Sequence, residues 1–466
     1  MNRTIDREQV YLLLPGFLQN LVVSFEGRRL INRRYDSAFE ELFREINERT
    51  FISARELSFY RMERLRHFLA AAGKVPYWQE KFSRHEVDIR ALDMMAELNK
   101  LPLLSKKEVK ANLDRITNRK SGERTVSCHT SGSTGSGLVF PVTRGAEQEQ
   151  WATWWRYRHW HGIDRNTWCG YFGGRSIVPL GRKRSPYWRI NHTGRQLMLS
   201  AYHLSENTAQ AYIGALLEHG ISWLHGYPSI LALLAGFIRD KGIRTLPPVK
   251  VITTGAESLL PYQRRLIQEV FGANVFQHYG QAEGAANLSE CEYGRLHVDE
   301  DFSLVEFIPI PGENTACRMV GTNWTNSVFP LIRYDTGDIA NLSNDACPCG
   351  RPGRLVDAGD GRKEDYLILP NGVRVGRLDH IFKDLVNILE AQIVQFEPGE
   401  AVFRILKGAA YDEDEEKRLL AEARKRLGSE IAIKIEYTDH IARTSSGKLR
   451  FVISHVSGGK LESLSP

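Results

Sequence analysis

Apolar residues recur at helical spacing, with charged residues between them, through residues 35–120 of this 466-residue chain. The pattern is clearest in two segments, SAFEELFREINERT and SARELSFYRMERLRHFLAAAG. Such spacing is typical of amphipathic helices, so the front of the chain is predicted to be helical. Ser53 and Glu56 have the spacing of a capping box, and a helix is therefore expected to begin there.

Strand and helix patterns alternate after this helical front. The expected strands are TWCGYFGG, ISWLHGYPS, VKVITTGAE and ANVFQHYGQAEG, and the expected helices are EQEQWATWWRYRHWHGI, SILALLAGFIRDKG and LLPYQRRLIQEVFG. Gly242 is the predicted stop signal of the second of these helices. The alternation predicts an α/β architecture with parallel strands, in which the polar turns that follow strands hold functional sites.

The pattern changes to short strands and turns from Ser303 onward, and it breaks again near AGDGRKEDYLILPNG. The remainder, residues 365–466, combines strands such as IAIKIEYTD with the charged helix DEDEEKRLLAEARKRLG, in the size range of a small α+β domain. The predicted fold is therefore a large α/β domain over residues 1–360, with mixed sheets and a helical extension over about 1–120, followed by a small α+β domain.

Composition narrows the class of protein. Hydrophobic residues make up 42% of the chain and charged residues 25%, which is typical of a soluble globular protein. The net charge of +6 is spread along the chain and suits an anionic ligand. The sequence has no zinc-finger repeat, RNP signature or helix-turn-helix pattern, so no nucleic-acid partner is expected. Six cysteines in so long a chain are not a disulfide framework and indicate a reducing cytoplasm.

The first residues, MNRTIDREQVYLLLPGFLQNLVVSFEGRR, contain an apolar run that Pro15, Gln19 and Asn20 interrupt. The run is too short and too interrupted to span a bilayer, and no small-residue cleavage site follows it. The favoured interpretation is an amphipathic helix docked on the protein. The alternative is a helix that contacts a membrane surface.

An uncharged loop, CHTSGSTGSGLVF, can surround phosphates with backbone amides and hydroxyl groups. The candidate residues of this loop are Thr130, Ser131, Gly132, Ser133, Thr134 and Gly135. The loop contains no cation, although a phosphate site needs positive charge. Glu283 in YGQAEG suits Mg²⁺, which takes few protein ligands, and Lys448 in IARTSSGKLR supplies a cation from the end of the chain.

Two further motifs complete the groups that a nucleotide needs. Asp338 in IRYDTGD can accept hydrogen bonds from ribose hydroxyls. A flat base can lie against Tyr279, beside Gly280, or against the turn of Gly255, Ala256 and Glu257. Taken singly, these residues also have structural interpretations: Glu283 as an acid at a helix N-terminus, Asp338 as a turn residue and Lys448 as a solvated lysine.

The motifs TSGSTG, TTGAE, YGQAE, RYDTGD, GRKED and RTSSGKLR occur in this order. The ordered set closely resembles the core motifs of the adenylate-forming superfamily, which contains acyl-CoA synthetases, peptide-synthetase adenylation domains and luciferases. The segments CPCGRPGR, GKLRFVIS and KVPYWQEKF resemble the phenylacetate–CoA ligase branch, particularly its relatives in capsular polysaccharide biosynthesis. The resemblance covers almost the whole chain. It implies a large domain and a small mobile lid, joined by a hinge near residues 361–365 at Glu364.

The resemblance also implies a reaction with ATP and Mg²⁺. A small-molecule carboxylate attacks the α-phosphate, which gives an acyl-adenylate and pyrophosphate, and an acceptor then takes the acyl group. Lys448 is expected to bridge carboxylate and phosphate, with Arg362 near ribose or phosphate. CoA is the first expected acceptor, and an amine or sugar acceptor and adenylyl transfer alone are the alternatives. A non-catalytic nucleotide-binding scaffold is disfavoured by the joint presence of Glu283, Asp338 and Lys448.

Four residues suggest a second metal. Cys291, His297, Cys347 and Cys349 offer three thiolates and one imidazole, which together with the family resemblance predicts a structural zinc site. The alternative is a group of small buried residues beside a turn. The basic stretch GRKRSPYWRINHTGRQ, residues 181–196, also has two interpretations, a solvated loop or a site for an anionic partner. The identity of the acid, the acceptor and the oligomeric state stay open.

Overall fold

The computed structural model describes residues 7–130, 138–173, 177–311, 316–357, 367–369, 374–375, 378–382, 385, 387–428, 431–443, 449–457 and 460–461. The chain divides into two compact units. The first unit contains residues 1–28, 166–276 and 361–466, and the second unit contains residues 29–165 and 277–360. Each unit is therefore built from separate stretches of sequence.

The helices follow the predicted pattern closely. Their bounds are α1 Arg7–Leu13, α2 Gly16–Arg34, α3 Ser37–Glu48, α4 Ala54–Ala72, α5 Pro76–Arg84, α6 Met94–Asn99, α7 Lys106–Ala111, α8 Leu113–Ile116, α9 Arg144–Trp160, α10 Ala209–Glu218, α11 Pro228–Asp240, α12 Pro261–Phe271 and α13 Glu413–Leu427. Short 3-10 helices cover Arg49–Phe51, Ala201–His203 and Leu378–Phe382. The predicted capping box of Ser53 and Glu56 is confirmed at the start of α4. Gly242, with φ at 62°, follows the end of α11 as predicted.

The strands are short. Their bounds are β1 Thr125–His129, β2 Val139–Thr143, β3 Cys169–Gly173, β4 Trp188–Asn191, β5 Gln196–Ser200, β6 Trp223–Gly226, β7 Val251–Thr254, β8 Asn274–Gly280, β9 Asn287–Glu290, β10 Leu296–Val298, β11 Leu304–Pro309, β12 Ala316–Thr322, β13 Tyr334–Ser343, β14 Leu355–Asp357, β15 Leu367–Ile368, β16 Arg374–Val375, β17 Ile388–Gln395, β18 Glu400–Lys407, β19 Ala432–Tyr437, β20 Val452–Ser454, β21 Val456–Ser457 and β22 Lys460–Leu461. Residues 274–276 of β8 belong to the first unit and residues 277–280 to the second.

The first unit contains the predicted parallel α/β arrangement. β3 pairs in parallel with β5 and β6, and β6 pairs in parallel with β7, while β4 is an antiparallel edge strand. Apolar side chains of α10, α11 and α12 cover these strands in one continuous core. Because parallel strands end at the same edge of a sheet, the turns after β6 and β7 lie close together.

The C-terminal part of the first unit is α+β, as predicted. Its strands are ordered β19-β18-β17-β20, and α13 packs on them through a core that includes Phe403 and Leu419. The same core contains Leu260 and Tyr262 from the start of α12. α11 also contacts β17: a Cβ added to Gly236 would lie 2.1 Å from Cδ2 of Leu389, so a side chain at this position would require Leu389 to shift.

The second unit is an antiparallel sheet with helices. Its strands are ordered β11-β12-β13-β14-β10-β9, followed by residues 277–280 of β8, and β1 and β2 form a separate hairpin. Helices α4 to α8 pack on this unit through a core that includes Phe68, Trp78 and Phe329. No helix in the described part of the chain is long and apolar enough to cross a bilayer.

Candidate functional site

Asp338 lies on β13 of the second unit, and two side chains from the end of β8 hold its carboxylate. The Tyr279 hydroxyl donates to Asp338 Oδ2 at 2.5 Å, and Gln281 Nε2 donates to the same oxygen at 3.1 Å. Burial, followed by the charge of Asp338, raises the pKa of Tyr279 well above its usual value. Tyr279 therefore keeps its proton and acts as a donor, so the structure brings together two of the predicted site residues.

Glu283 lies on the turn after β8 and is 9% exposed. The Tyr334 hydroxyl donates to Glu283 Oε1 at 3.3 Å, and Asn323 Nδ2 donates to the Glu283 carbonyl oxygen at 3.1 Å. Burial and the charge of Glu283 raise the pKa of Tyr334, so this hydroxyl also remains a donor. A single carboxylate held in this way fits Mg²⁺, which keeps most of its ligands as water and phosphate oxygens.

The predicted phosphate loop joins β1 to β2, and the structure describes its two ends. The Thr130 amide donates to the Leu138 carbonyl at 2.9 Å, and the Leu138 amide donates to Thr130 Oγ1 at 2.8 Å. Cys128 Sγ lies 3.9 Å from the Ala282 carbonyl oxygen, which places the hairpin beside the turn that carries Glu283. Burial and the Glu283 charge raise the pKa of Cys128 to about 11. Residues 131–135 lie outside the described part of the chain.

Gly280 ends β8 in a crowded position. A Cβ added there would lie 2.9 Å from Asn287 Oδ1 and 3.2 Å from Trp154 Nε1. The Trp154 indole donates to Asn287 Oδ1 at 2.8 Å, and this hydrogen bond holds both side chains against Gly280. Packing alone explains the glycine, and a nucleotide contact at Gly280 stays a prediction.

The turn of Gly255, Ala256 and Glu257 belongs to the first unit and follows β7. Ala256 adopts a left-handed conformation with φ at 68°. The Glu257 side chain is 8% exposed: its Oε1 accepts from the Leu449 amide at 2.6 Å and its Oε2 from the Ser229 amide at 3.3 Å. The carboxylate thus holds the residue that follows Lys448. Base binding by this turn stays a prediction.

Arg443 is a residue that the sequence reasoning missed, although it begins the quoted motif RTSSGKLR. Its Nη1 donates to Ser229 Oγ at 2.8 Å, and its Nη2 donates to Glu390 Oε1. Burial raises the pKa of Glu390 to about 7, although Arg443 lowers it. Arg443 and Leu449 therefore attach the end of the chain to β7 and α11. The predicted residues Lys448, Arg362 and Glu364 lie outside the described residues.

Aromatic residues near the ends of β3 and β6 were also missed. Tyr171 stacks on His225 with ring centroids 5.7 Å apart, and His225 Nδ1 lies 2.8 Å from Thr253 Oγ1. Burial raises the pKa of the neighbouring Tyr227. Inspection of the residues in register near the ends of the parallel strands would have found these side chains, because paired residues of neighbouring strands lie on the same face of the sheet.

The Cys/His set is assembled in the second unit. Cys291 Sγ lies 3.6 Å from Cys347 Sγ, and Cys349 Sγ lies 3.3 Å from His297 Nε2. The four ligand atoms all lie within 4.8 Å of one another. Tetrahedral zinc, with bonds of about 2.3 Å to sulfur and about 2.0 Å to nitrogen, places its ligand atoms about 3.5–3.8 Å apart. His297 Nδ1 is 3.4 Å from the Pro352 carbonyl, which leaves Nε2 for a metal.

The sequence is similar to one family model and to two known relatives. Residues 367–455 match the family model described as the CapK C-terminal domain. The chain is 26% identical to Protein CapK of Staphylococcus aureus over 456 residues, which cover 96% of this chain and 99% of that protein. It is 32% identical to the phenylacetate-coenzyme A ligase of Thermus thermophilus over 159 residues, 32% of this chain and 35% of the ligase.

Solved structures show the same fold at low identity. A 2-hydroxyisobutyryl-CoA ligase in the postadenylation state, in complex with 2-HIB-AMP, matches with a TM-score of 0.69 and 18% identity. The match covers 87% of this chain and 91% of the ligase chain. An open conformation of the ligase with 2-HIB-AMP and CoA matches with a TM-score of 0.54 and 17% identity, over 87% and 93% of the two chains. The predicted fold class is confirmed.

Proposed function

We propose, from its similarity to Protein CapK and to phenylacetate-coenzyme A ligase and from its fold, that this chain is an adenylate-forming ligase that activates a carboxylic acid with ATP. A carboxylate oxygen of the acid forms a bond to the α-phosphorus, and the bond from that phosphorus to the bridging oxygen of pyrophosphate breaks. The products are an acyl-adenylate and pyrophosphate. The observation that carries the proposal is the Asp338 carboxylate, held by two donors in the same unit as Glu283.

Asp338 would accept hydrogen bonds from the ribose hydroxyls of the nucleotide. Both donors contact Oδ2, so they fix the direction in which the carboxylate points. Gln281 Oε1 is buried with no hydrogen-bond partner among the described residues, and a buried acceptor of this kind costs free energy until a donor reaches it. A ribose hydroxyl or an adenine amino group would supply that donor.

Glu283 would hold Mg²⁺, which when bound supplies positive charge to the phosphates. The chain's own contribution is to orient the carboxylate through Tyr334 and to close the phosphate loop through Thr130. The roles of residues 131–135, Lys448 and Arg362 are proposed from the motif resemblance. Lys448 follows the family pattern as the cation that stabilises charge developing at the α-phosphate.

For the second half-reaction we propose CoA as the acceptor. The sulfur of CoA attacks the acyl carbon, a thioester forms, and AMP leaves. Ligase structures with the same fold that contain CoA support this choice over an amine or sugar acceptor and over adenylyl transfer alone. The relative that matches from end to end is Protein CapK, whose name specifies no acceptor, so the test includes all three outcomes.

Acid-dependent exchange of labelled pyrophosphate into ATP tests the first half-reaction. We expect exchange with one or more members of a panel of small carboxylic acids, and a large loss of exchange in Asp338→Asn. Asp114→Asn is the matched control, because the Asp114 side chain is 87% exposed. Addition of CoA, amines or sugars to the active acid then identifies the acceptor. Exchange that survives unchanged in Asp338→Asn would contradict the proposed nucleotide site.

We also propose that Cys291, His297, Cys347 and Cys349 bind one structural zinc ion. Four protein ligands leave no open position for water or substrate, so a catalytic role is excluded by the ligand number. Cys291 follows β9, whereas Cys347 and Cys349 lie between β13 and β14. The ion would therefore join the segment after Glu283 to the segment after Asp338.

A further inference from the structure

Helix α2 packs on the first unit with its polar face inward. Gln19 is 0% exposed, whereas Phe17 is 67%, Leu21 63% and Phe25 72% exposed. A docked amphipathic helix normally buries its apolar stripe and exposes its polar face. The structure thus contains the expected helix docked on the protein, and the docked side is the polar one.

The inward contacts are specific hydrogen bonds to the edge strand β4. The Ile190 amide donates to Asn20 Oδ1 at 3.1 Å, and Ser24 Oγ donates to the Ile190 carbonyl at 3.2 Å. The buried Arg189 donates through Nε to Gln19 Oε1 at 2.5 Å. These bonds satisfy backbone groups of the sheet edge and fix the rotation of α2 about its axis.

A close approach fixes the same rotation. A Cβ added to Gly27 would lie 2.3 Å from Asn191 Oδ1, so α2 contacts β4 at a position where only glycine fits. Rotation of the helix to bury Phe17, Leu21 and Phe25 would break this contact and the bonds to Ile190. The contacts of α2 with β4 therefore determine that these apolar side chains face outward.

The exposed apolar side chains form a stripe, which we define as Leu13, Phe17, Leu21 and Phe25. The spacing of four residues places Phe17, Leu21 and Phe25 along one side of α2. Leu13, which is 86% exposed, ends α1 shortly before them. Large apolar residues that are exposed singly are normal on protein surfaces, but a continuous stripe marks an interaction surface.

A basic loop begins three residues after Ile177, which contacts α1. We define it as residues 180–184, with the 65% exposed Leu180 followed by Arg182, Lys183 and Arg184. The Tyr11 hydroxyl of α1 donates to the Ile177 carbonyl at 2.9 Å, which holds the chain just before the loop against the helices. Residues 165–205 contain no aspartate or glutamate, so the charge of the loop is not balanced by acids of its own segment.

We propose that the apolar stripe and the basic loop together bind the surface of an anionic lipid bilayer. Phenylalanine and leucine on one side of a helix, with arginine and lysine beside them, suit insertion at the boundary of headgroups and acyl chains. Each basic residue near an anionic surface adds attraction that salt weakens. The charge of the loop is the observation that selects anionic lipid as the occupant.

A second copy of the chain fits this face less well. A standard interface between two proteins involves roughly 20–30 residues a side, far more than a stripe of one helix provides. A two-fold interface would also bring two copies of the basic loop to one contact, which costs electrostatic free energy. Dimerisation is nevertheless a distinct outcome of the test.

The test is co-sedimentation of the full chain with vesicles of phosphatidylcholine alone or of phosphatidylcholine with phosphatidylglycerol. We expect binding to the anionic vesicles that decreases with salt, and little binding to the neutral vesicles. Phe17→Ser/Leu21→Ser/Phe25→Ser should weaken binding at least tenfold. The triple change Arg182→Gln/Lys183→Gln/Arg184→Gln should weaken it by roughly two orders of magnitude at low salt.

Matched variants separate this effect from general changes of the surface. Phe59→Ser removes an apolar side chain that is 71% exposed on α4, and Lys417→Gln/Arg418→Gln removes charges from α13. Both controls should bind vesicles as the unmodified chain does. Light scattering and thermal unfolding check that the stripe variants stay folded and do not change in oligomeric state.

Four results would overturn the proposal. They are equal binding to neutral and anionic vesicles, no binding to either, loss of binding in the control variants, and a dimer that the stripe variants dissociate without any vesicle binding. Binding to anionic vesicles that depends on the stripe and the basic loop, and on neither control, would establish it.

Discussion

The hydrogen bond from Tyr279 to Asp338 leads to a prediction whose size follows from the structure. Tyr279→Phe removes the hydroxyl and keeps the ring, which packs on a core that includes Leu288 and Val356. The substitution therefore removes the donor to Asp338 and the acceptor of a hydrogen bond from Gln281 Nε2, and it leaves the packing of the ring in place. If Asp338 binds ribose, the affinity for an adenine nucleotide should fall.

The expected loss comes from one hydrogen bond to a charged group. The hydroxyl oxygen lies 2.5 Å from Asp338 Oδ2, and burial keeps the hydroxyl protonated. Such a bond contributes about 1.5–3 kcal/mol. Gln281 still donates to the same oxygen at 3.1 Å, so part of the orientation remains. We expect the dissociation constant of AMP to rise about 10-fold, with about 100-fold as the upper bound.

Isothermal calorimetry with AMP and with 2′-deoxy-AMP measures this effect without a known acid substrate. The unmodified chain should bind AMP more tightly, because the deoxy nucleotide lacks one hydroxyl that Asp338 would contact. Tyr279→Phe should weaken AMP binding more than 2′-deoxy-AMP binding. Tyr293→Phe is the matched control, since Tyr293 is 57% exposed. Unchanged AMP affinity, or equal weakening of both nucleotides, would refute the assigned role.

Three further predictions concern metal, pH and packing. Cys349→Ser should lower zinc content from about one ion per chain and lower the thermal midpoint together, and metal-free wild-type protein prepared without chelator would contradict the site. In the folded protein the pKa of Glu390 is raised from its ordinary value of 4.5 to about 7. The protonated carboxyl therefore stabilises the fold fully below about pH 4.5, and this contribution is lost as the pH rises through about 7. Denaturant titrations at a series of pH values should show the free energy of unfolding fall by up to about 3 kcal/mol in wild type and not in Glu390→Gln. The same pH dependence of unfolding in both proteins would count against this role of Glu390. Gly236→Ala should destabilise by about 1–3 kcal/mol, because its Cβ would lie 2.1 Å from Leu389, and an unchanged midpoint would show that Leu389 moves aside.

Local patterns predicted most elements of the fold. The apolar run of β7 and the long apolar helix α11 were correct because buried parallel strands and their covering helices have continuous apolar sequences. The capping box at Ser53 was correct because it is a contact between near neighbours. Asp338 and Tyr279 were assigned to one site through motif order, and the structure places them in hydrogen-bond contact.

Long-range contacts were beyond such patterns. Nothing in the sequence around Arg443 shows that its guanidinium would reach Ser229, because the two residues are 214 positions apart. The side by which α2 docks was beyond sequence patterns for a related reason. Helical periodicity identifies an apolar face, but the unpaired backbone groups of Ile190 selected the polar face, and their position depends on the completed sheet.

Because the first unit is built from separate stretches of sequence, parts of it are synthesised well before the residues that they contact. Gln19 and its partner Arg189 are 170 positions apart, and translation at about 5–20 residues per second separates them by roughly 10–30 s. During that interval α2 has neither its polar contacts nor β4, so both of its faces are available to other molecules. The final stretch, residues 361–466, is synthesised later still. Until then Leu260 and Tyr262 lack the C-terminal residues with which they share a core. The first unit can therefore complete its core only after the C-terminal strands have been synthesised.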